Sequence, residues 1–348
     1  MTDYAKCTLM LVLFTTELLH AQKQKTNYTG PRPDQISTDS LISQPGPSFR
    51  VEQKKLGSPE NIIAYGDQRF TDPADTTATN PVARRLLVQR IAQEHPDAIL
   101  MNGDVPYSGN VVNDYLVYRS ETKIWRDEHL NVYPALGNHE FHGDPHEALE
   151  HWWTAFPELN NRRWYSVELG KYIYTIALDS DTSLAQGSNQ LRWLDDQLRN
   201  LPGTTRFVFI SLHHPPVADI QTRINVSHNP RPNEIGLRDD LETIAPQIKA
   251  KIIVTAGHIH NYERFDCNGV VYFVSGGGGA KPVEVERKAG DLYHDNSFPN
   301  YHFVEFILKG NSVEGKMYRL ADPGAETPVW EVRDTFTIQG HVMHGSDK

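Results

Sequence analysis

From residue 61 onwards the chain alternates short apolar runs with stretches in which apolar residues recur at helical spacing. Five of the runs have the length of buried strands: residues 62–65, 98–101, 132–136, 207–210 and 252–254. Between the first two, one face of a predicted helix carries Val82, Leu86, Leu87 and Ile91. This alternation predicts a wound α/β sheet, in which strands and helices follow one another along the chain.

The same pattern continues towards the carboxyl end of the chain. Residues 172–178 predict another strand, and leucines at positions 191, 194, 198 and 201 predict a helix that ends at Pro202 and Gly203. Further β-rich runs occur at residues 270–274, 303–308 and 313–318. We expect the strands of residues 269–338 to form the second sheet of a sandwich.

The amino-terminal residues contain one apolar run, at residues 8–19. It is too short for a bilayer, which requires roughly 20 residues, but Lys6 before it and Ala21 after it are typical of an export leader. Residues 1–21 are therefore predicted to be a signal peptide. A cytosolic amino terminus is the alternative, because the positive region is weak.

The residues between this leader and the first strand are polar and are interrupted repeatedly by Pro and Gly. No helical or strand period runs through them. Residues 22–57 are therefore predicted to be a flexible linker, which leaves residues 58–340 as a single domain.

Charge and cysteine content exclude several classes of function. The 348-residue chain has 34 Lys and Arg against 44 Asp and Glu, a formal net charge of −10. A broad basic surface for nucleic acid or anionic lipid is therefore not expected. Two cysteines, Cys7 and Cys267, cannot form a disulfide framework.

The five predicted strands share one feature: each ends in a Gly- or Pro-containing turn that carries Asp, Asn or His. Ligands of wound α/β sheets bind beyond the carboxyl ends of the strands, and a glycine allows a sharp turn just before a ligand. We therefore expect six side chains to surround a common point: Asp67, Asp104, Asn138, His213, His258 and His260.

Oxygen and imidazole ligands without thiolate suit hard or borderline divalent and trivalent metals. Six or seven such ligands exceed the needs of one catalytic ion, which must keep an open position. They are sufficient for two ions that share a carboxylate and lie roughly 3.5–4 Å apart, an arrangement that clamps an in-line displacement at phosphorus. The sequence therefore predicts a dinuclear metal centre.

Five blocks carry these residues in order: Gly66-Asp67, Gly103-Asp104, Gly137-Asn138-His139-Glu140, His213 and Gly257-His258-Ile259-His260. Together they resemble the ordered blocks of calcineurin-like metallophosphoesterases, over about residues 60–320. The resemblance implies a four-layer αββα sandwich with two mixed β-sheets, and hydrolysis of phosphate esters.

The second and fifth blocks resemble those of purple acid phosphatases, the fifth through its continuation His260-Asn261-Tyr262-Glu263-Arg264. The first, Asp67-Gln68-Arg69, lacks the histidine that many superfamily members have at its third position. The second ends in Tyr107 and is similar to the Gly-Asp-x-x-Tyr of that family, in which a tyrosinate binds ferric iron. A phenol with a reference pKa of about 10 is readily deprotonated only beside a strongly polarising cation. An aromatic ring packed beside the site is the alternative for Tyr107.

The resemblance implies two ions and a role for each ligand. Asp67, Tyr107 and His260 would hold a first ion, which would be Fe(III). Asp104 would bridge the two ions. Asn138, His213 and His258 would hold a second ion, which would be Zn, Mn or Fe(II). By the same resemblance His139 is a catalytic residue that stabilises the phosphoryl oxygens or protonates the leaving group.

Three further assignments have an alternative, and one glycine run is interpreted separately. The His-x-Pro pattern of the family favours His213 over His214 as the ligand. His228 is either a second catalytic histidine that contacts substrate or a surface histidine. Arg69 either contacts phosphate or forms a surface salt bridge. Gly276–Gly279 lacks the Lys-Ser/Thr of a phosphate loop and is interpreted as a close-approach turn near the metals.

The sequence as a whole predicts a phosphomonoesterase of purple acid phosphatase type. A phosphodiesterase that acts on nucleotides or lipid head groups at the same site is the alternative, and a non-catalytic binding scaffold is a third possibility that the complete set of ligands disfavours. We expect a small phosphorylated substrate, no nucleic-acid partner, no stable membrane insertion and a secreted or periplasmic location. The oligomeric state is left open.

Overall fold

The computed structural model describes residues 46–221 and 228–341. The predicted signal peptide at residues 1–21 and residues 22–45 of the predicted linker lie outside the described residues. No helix in the described part of the chain is both long enough and apolar enough to cross a membrane.

Fifteen strands and six α-helices form the described structure. The strands are β1 (Phe49–Val51), β2 (Asn61–Tyr65), β3 (Ala98–Met101), β4 (Val132–Pro134), β5 (Tyr165–Leu169), β6 (Ile173–Ala177), β7 (Phe207–Leu212), β8 (Ile220–Gln221), β9 (Lys251–Ala256), β10 (Tyr262–Cys267), β11 (Val270–Ser275), β12 (Val285–Glu286), β13 (Tyr301–Lys309), β14 (Ser312–Asp322) and β15 (Val329–Gln339). The helices are α1 (Pro81–Gln93), α2 (Val112–Glu121), α3 (Lys123–Asp127), α4 (Pro145–Ala155), α5 (Asn189–Arg199) and α6 (Pro232–Ile244).

Two large mixed sheets contain most of the strands. The first sheet has the order β1-β5-β6-β7-β9-β11-β10, with β6, β7, β9 and β11 parallel to one another. The second has the order β15-β14-β13-β2-β3-β4, in which β2, β3 and β4 are parallel and the others antiparallel. Strands β8 and β12 form a separate two-stranded ribbon.

The division of strands between the sheets differs from our expectation. Residues 269–338 do not form a sheet of their own, because β11 joins the first sheet while β13 pairs with β2 in the second. The register Val304↔Ala64 joins residues that are far apart in sequence. The sequence does not reveal this pairing, because every one of these apolar runs is buried and has the same pattern. The partner of each strand therefore depends on contacts between strands in the folded protein.

Side chains alternate between the two faces of the central strands, and this alternation explains the four layers. Phe207 and Phe209 of β7 face the second sheet, where the Phe209 ring lies 5.3 Å from that of Phe306, whereas Val208 and Ile210 face helices α5 and α6. On the far side of the second sheet, the ring of Trp125 in α3 contacts Tyr65 of β2. The αββα sandwich with two mixed sheets is thus confirmed.

Two local expectations are corrected. Residues 46–57, the last part of the segment predicted to be a linker, are folded: β1 pairs in parallel with β5, and the Gly57 N–H donates to Asp97 at 2.6 Å. Val82 is not on the buried face of its helix, since it lies in the first turn of α1 and is 42% exposed.

Candidate metal centre

The predicted ligands follow strands of both sheets. Asp67, Asp104 and Asn138 come directly after β2, β3 and β4 of the second sheet, whereas His213 and His258 follow β7 and β9 of the first. The site therefore lies where the carboxyl ends of strands from two packed sheets meet, and not at the edge of one sheet.

The backbone at three of these positions adopts the left-handed region, with φ of 64° at Asp67, 56° at Asp104 and 70° at His258. This conformation is uncommon for residues other than glycine and is maintained by surrounding contacts. The Asp67 N–H donates to the Gly103 carbonyl at 3.0 Å, and the His258 N–H donates to Asp67 Oδ2 at 2.8 Å. These bonds join the loops that carry the ligands.

The glycines of the blocks allow side chains to approach the backbone closely. A Cβ at Gly103 would lie 2.7 Å from the His213 ring, and one at Gly137 would lie 2.6 Å from Asp104 Oδ1. At Gly276 a Cβ would lie 2.8 Å from Asp67 Oδ2, in agreement with the predicted close-approach turn. The backbone atoms nearest to such a Cβ would be Asp104 N, at 2.6 Å, for Gly137 and the Ile259 carbonyl oxygen for Gly276. Close approach of neighbouring backbone and of the Asp67 and Asp104 carboxylates, more than turn geometry, accounts for glycine at both positions.

Asp67 and His260 form the first half of the site. His260 Nδ1 lies 2.7 Å from the Lys281 carbonyl, which can only accept, so Nδ1 of the neutral ring carries the proton and Nε2 carries a lone pair. Nε2 lies 3.3 Å from Asp67 Oδ1, and neither of these buried atoms has a hydrogen-bond partner among the described residues. A cation between them would satisfy both, so the residues fit a metal ion.

Four side chains converge in the second half. His213 Nδ1 lies 2.9 Å from the Asn102 carbonyl, which again places the lone pair of the neutral ring on Nε2. Around that atom are Asn138 Oδ1 at 3.0 Å, Asp104 Oδ1 at 3.2 Å and His258 Nδ1 at 3.2 Å. Ligand atoms of Asp67, Asp104 and His213 all lie within 4.8 Å of one another, so the two halves are adjacent.

The electrostatic surroundings keep Asp104 and His258 in their ligand forms, whereas at His213 burial lowers the pKa but Asp104 and Asp67 outweigh it and raise the pKa. Burial disfavours the charge of Asp104, but His139, His213 and Arg69 hold the pKa of its carboxyl well below the usual range. Burial lowers the pKa of His258 well below its ordinary value, and the neighbouring histidines lower it further. An ionised carboxylate and a neutral imidazole are the forms that bind metals.

Tyr107 is the predicted ligand with the fewest contacts to the cluster. Its side chain is 37% exposed, and its ring centroid lies 5.4 Å from that of His139. Its hydroxyl makes no hydrogen bond within the described part of the chain. The structure thus places Tyr107 at the rim of the site, beside the histidine predicted to act in catalysis.

Both predicted catalytic histidines border the cluster. His139 Nδ1 lies 2.5 Å from the Tyr107 carbonyl, while Nε2 faces Asp104 Oδ2 at 3.7 Å. The ring of His228 lies 4.4 Å from that of His258, and its Nδ1 is 2.8 Å from Gln221 Oε1. In each neutral ring, Nδ1 is committed to a neighbouring oxygen and Nε2 is left for another partner.

The geometry favours one of the two interpretations of Arg69, and it favours one histidine in the choice between His213 and His214. Arg69 is not in a surface salt bridge: its guanidinium lies 3.1 Å from the fully buried Asp104 carboxylate. A ring nitrogen of His214 lies near His213 and His258, but its Nδ1 is 2.8 Å from Ser180 Oγ. Since His213 is the histidine beside Asp104, its assignment as the ligand is favoured.

Two residues that support the site had no role in the sequence analysis. The buried Glu140 carboxylate accepts from the backbone N–H groups of Gly137, Asp104 and Val105, at 2.8, 3.1 and 2.8 Å. The Asn102 side chain accepts from the hydroxyls of Ser211 and Thr255. For Glu140 a signal existed, because an acidic residue three positions after a turn residue is typical of a helix cap.

Comparisons with known proteins agree with this geometry. The family model for calcineurin-like phosphoesterases matches residues 78–262, a segment that includes every predicted metal ligand except Asp67. Probable purple acid phosphatase 20 of Arabidopsis thaliana is 29% identical over 253 residues, which are 67% of this chain and 54% of that protein. The chain thus spans about half the length of this relative.

Three solved structures share the fold. A purple acid phosphatase from yellow lupin (Lupinus luteus) seeds has a TM-score of 0.65 at 18% identity, over 82% of this chain and 54% of its own. A dimetal phosphatase from Danio rerio has a TM-score of 0.55 at 13% identity, over 81% and 99%. GAP50, the anchor in the inner membrane complex of Plasmodium, has a TM-score of 0.57 at 14% identity, over 82% and 90%. With the family match, the two-sheet fold and the clustered blocks together, the chain belongs to the calcineurin-like phosphoesterase family.

Proposed function

We propose that this protein is a phosphomonoesterase of purple acid phosphatase type with two metal ions. The observation that carries the proposal is the pair of buried acceptors Asp67 Oδ1 and His260 Nε2, which face each other at 3.3 Å and have no hydrogen-bond partner in the described part of the chain. Beside them, Asp104, Asn138 and His213 form a second group of acceptors. Two adjacent groups of this kind suit two cations.

The ligands are assigned to two positions. Asp67, Tyr107 and His260 hold the first ion, Asp104 is shared, and Asn138, His213 and His258 hold the second. When bound, two ions at such a spacing supply Lewis acidity and a nucleophile at neutral pH. We propose Fe(III) in the first position, on the strength of the Gly103–Tyr107 block, and Zn, Mn or Fe(II) in the second.

His139 and His228 act on the substrate from the border of the cluster. Both rings commit Nδ1 to a fixed oxygen, so Nε2 is the atom that contacts the phosphoryl group. Only the protonated His139 ring also carries a proton on Nε2, and that proton would stabilise the phosphoryl oxygens or pass to the leaving group. Burial lowers the pKa of His139 well below its ordinary value, whereas the Asp104 carboxylate raises it and so favours the protonated form. The Tyr107 carbonyl orients this ring, so Tyr107 contributes through its backbone as well as its side chain.

A substrate panel tests the proposed activity. The protein is purified, its metal content is measured, and hydrolysis of a monoester, a diester and pyrophosphate is compared. We expect about two ions per chain and the highest kcat/KM for the monoester. A higher kcat/KM for the diester would replace our proposal with a phosphodiesterase. Metal binding without hydrolysis of any ester would support a non-catalytic scaffold.

A second experiment tests iron and Tyr107. Protein with Fe(III) coordinated by tyrosinate absorbs visible light, and Tyr107→Phe should abolish that band while leaving the protein folded. A colourless, fully active enzyme that contains only Mn or Zn would contradict the iron assignment. Export to a secreted or periplasmic location is proposed separately, and amino-terminal sequencing of the natural protein tests it, since cleavage near Ala21 is expected.

A further inference from the structure

Arg69 is the third residue of the first block, where the chain has no metal-binding histidine. We propose that Arg69 binds the phosphoryl oxygens of the substrate and favours doubly charged phosphomonoesters over singly charged diesters. This inference rests on the proposed phosphoesterase function and extends it to a residue that determines substrate class.

The guanidinium group lies inside the site. Arg69 Nη2 is 3.1 Å from Asp104 Oδ2, and His139 Nε2 is 3.7 Å from the same oxygen. The Arg69 side chain is 17% exposed, so most of it is buried while a part remains accessible to a ligand. Arg69 and His139 thus both lie close to the same oxygen of Asp104, the predicted bridging carboxylate.

The Arg69 backbone is held in place by Arg84, a second arginine in this region, which is fully buried. Arg69 adopts φ of 48°, its N–H donates to the Asp104 carbonyl at 2.9 Å, and its own carbonyl accepts from Arg84 Nη1 at 3.1 Å. Arg84 is held in turn by a bidentate pair with Glu121, at 2.7 and 2.8 Å. The main chain is therefore rigid, while the Arg69 guanidinium pairs with one carboxylate, Asp104, among the described residues.

Formal charge favours an anion at this point. Two divalent ions outweigh the carboxylates of Asp67 and Asp104 by two positive charges, and an Fe(III) with a Tyr107 phenolate leaves the same excess. Arg69 raises the excess to three. A hydroxide and a phosphomonoester dianion together carry three negative charges, whereas a hydroxide and a diester carry two. The guanidinium fork also matches the geometry of phosphate oxygens.

The test compares Arg69→Gln with the wild-type holoenzyme on a monoester and a diester of the same alcohol, above pH 7 where the monoester is a dianion. We expect kcat/KM to fall about 30-fold for the monoester and about 3-fold for the diester, so that the preference for the monoester falls about tenfold. Inorganic phosphate, a dianion, should bind the metal-loaded variant about tenfold more weakly by calorimetry. Arg69→Lys, which keeps the charge without the fork, should recover part of both effects.

Arg50→Gln is the matched control, because Arg50 lies on the edge strand β1 with a side chain that is 70% exposed. An equal fall for both esters, or a loss of metal in Arg69→Gln, would overturn the inference and make Arg69 a structural partner of Asp104. If the wild-type protein hydrolyses no ester, the proposed function fails, and phosphate binding to the metal-loaded protein still decides the role of Arg69.

Discussion

Asp104 has contacts to more of the site than the other carboxylate. Its Oδ1 accepts from the His139 N–H at 3.0 Å and lies 3.2 Å from His213 Nε2, while its Oδ2 pairs with Arg69. Both oxygens therefore face groups that belong to different loops. A carboxylate in this position can serve two ions at once.

Asp104→Ala should remove both ions from the protein. The variant lacks the proposed shared ligand, and His213 loses the carboxylate that faces its Nε2. Elemental analysis of the purified variant should give a metal content near zero, with loss of activity of at least about a thousandfold. Retention of two ions per chain would show that Asp104 is not shared.

His139→Ala separates catalysis from metal binding. Because His139 is predicted to contact substrate and not metal, the variant should retain its ions while kcat falls by about 10²–10⁴. Metal analysis and steady-state kinetics measure the two properties on one sample. Normal turnover by the variant would refute the role of this histidine.

Two short elements, a 3₁₀ helix and strand β10, place buried carboxylates close in sequence to the proposed ligands. The 3₁₀ helix Asn138–Phe141 carries the proposed ligand Asn138 and the capping Glu140 in a single turn. Strand β10 follows His260 and places Glu263 in a buried cluster with Asp219, Asp291 and Arg287. Glu263 Oε2 accepts from the Asp219 N–H, and its Oε1 has no hydrogen-bond partner within the described ranges.

Glu263→Gln should change how stability depends on pH. Burial and the neighbouring Asp219 and Asp291 raise the pKa of Glu263 from an ordinary value of 4.5 to about 8, although the Asp219 N–H and Arg287 oppose the shift. The folded state therefore binds an extra proton between these values, and the wild type loses stability as pH rises from about 5 to about 8. Glutamine has no such proton. Relative to the wild type, the variant should gain on the order of 4 kcal/mol between pH 5 and pH 8, at about 1.4 kcal/mol per pH unit.

Denaturant unfolding of both proteins at the two pH values measures this difference. Glu314→Gln removes an exposed carboxylate on β14, so it serves as a control for a general effect of charge. Parallel pH profiles for Glu263→Gln and the wild type would show that Glu263 is ionised in the folded protein at pH 8.

The two sheets meet at the site, and polar contacts join them there. Asn102 follows β3 of the second sheet, and its side-chain oxygen accepts from Ser211 of β7 and Thr255 of β9 in the first. Its carbonyl also accepts from His213. In the proposed assignment, ligands from both sheets would hold the same pair of ions, so metal binding should stabilise the packing of one sheet against the other.

Removal of metal should accordingly lower the melting temperature of the whole protein. A ligand that binds only the folded state at 100 times its Kd contributes about 2.7 kcal/mol, which for a domain of this size corresponds to a shift on the order of 5 °C. Calorimetry of the chelated and the reloaded protein measures the shift. Asp104→Ala should show none, and an equal rise in that variant would indicate metal binding elsewhere.

The functional residues were predictable to different degrees. Asp67, Asp104 and His258 could be placed together from local sequence, because each follows an apolar run at a turn and strand ends cluster in this fold class. The pairing of Arg69 with Asp104 could not be predicted, since it depends on how two loops from neighbouring strands approach. The sheet to which β11 belongs could not be predicted either, because its apolar run resembles those of β2 and β9, which lie in different sheets.

Local patterns along the chain therefore establish which residues form strands and which side chains stand at their ends, since periodicity and turn chemistry are properties of neighbouring residues. Packing of the sheets determines which oxygens and nitrogens face one another, as Asp67 and His260 do across 3.3 Å. Contacts of this kind join residues that are almost two hundred positions apart, and their geometry depends on every strand between them.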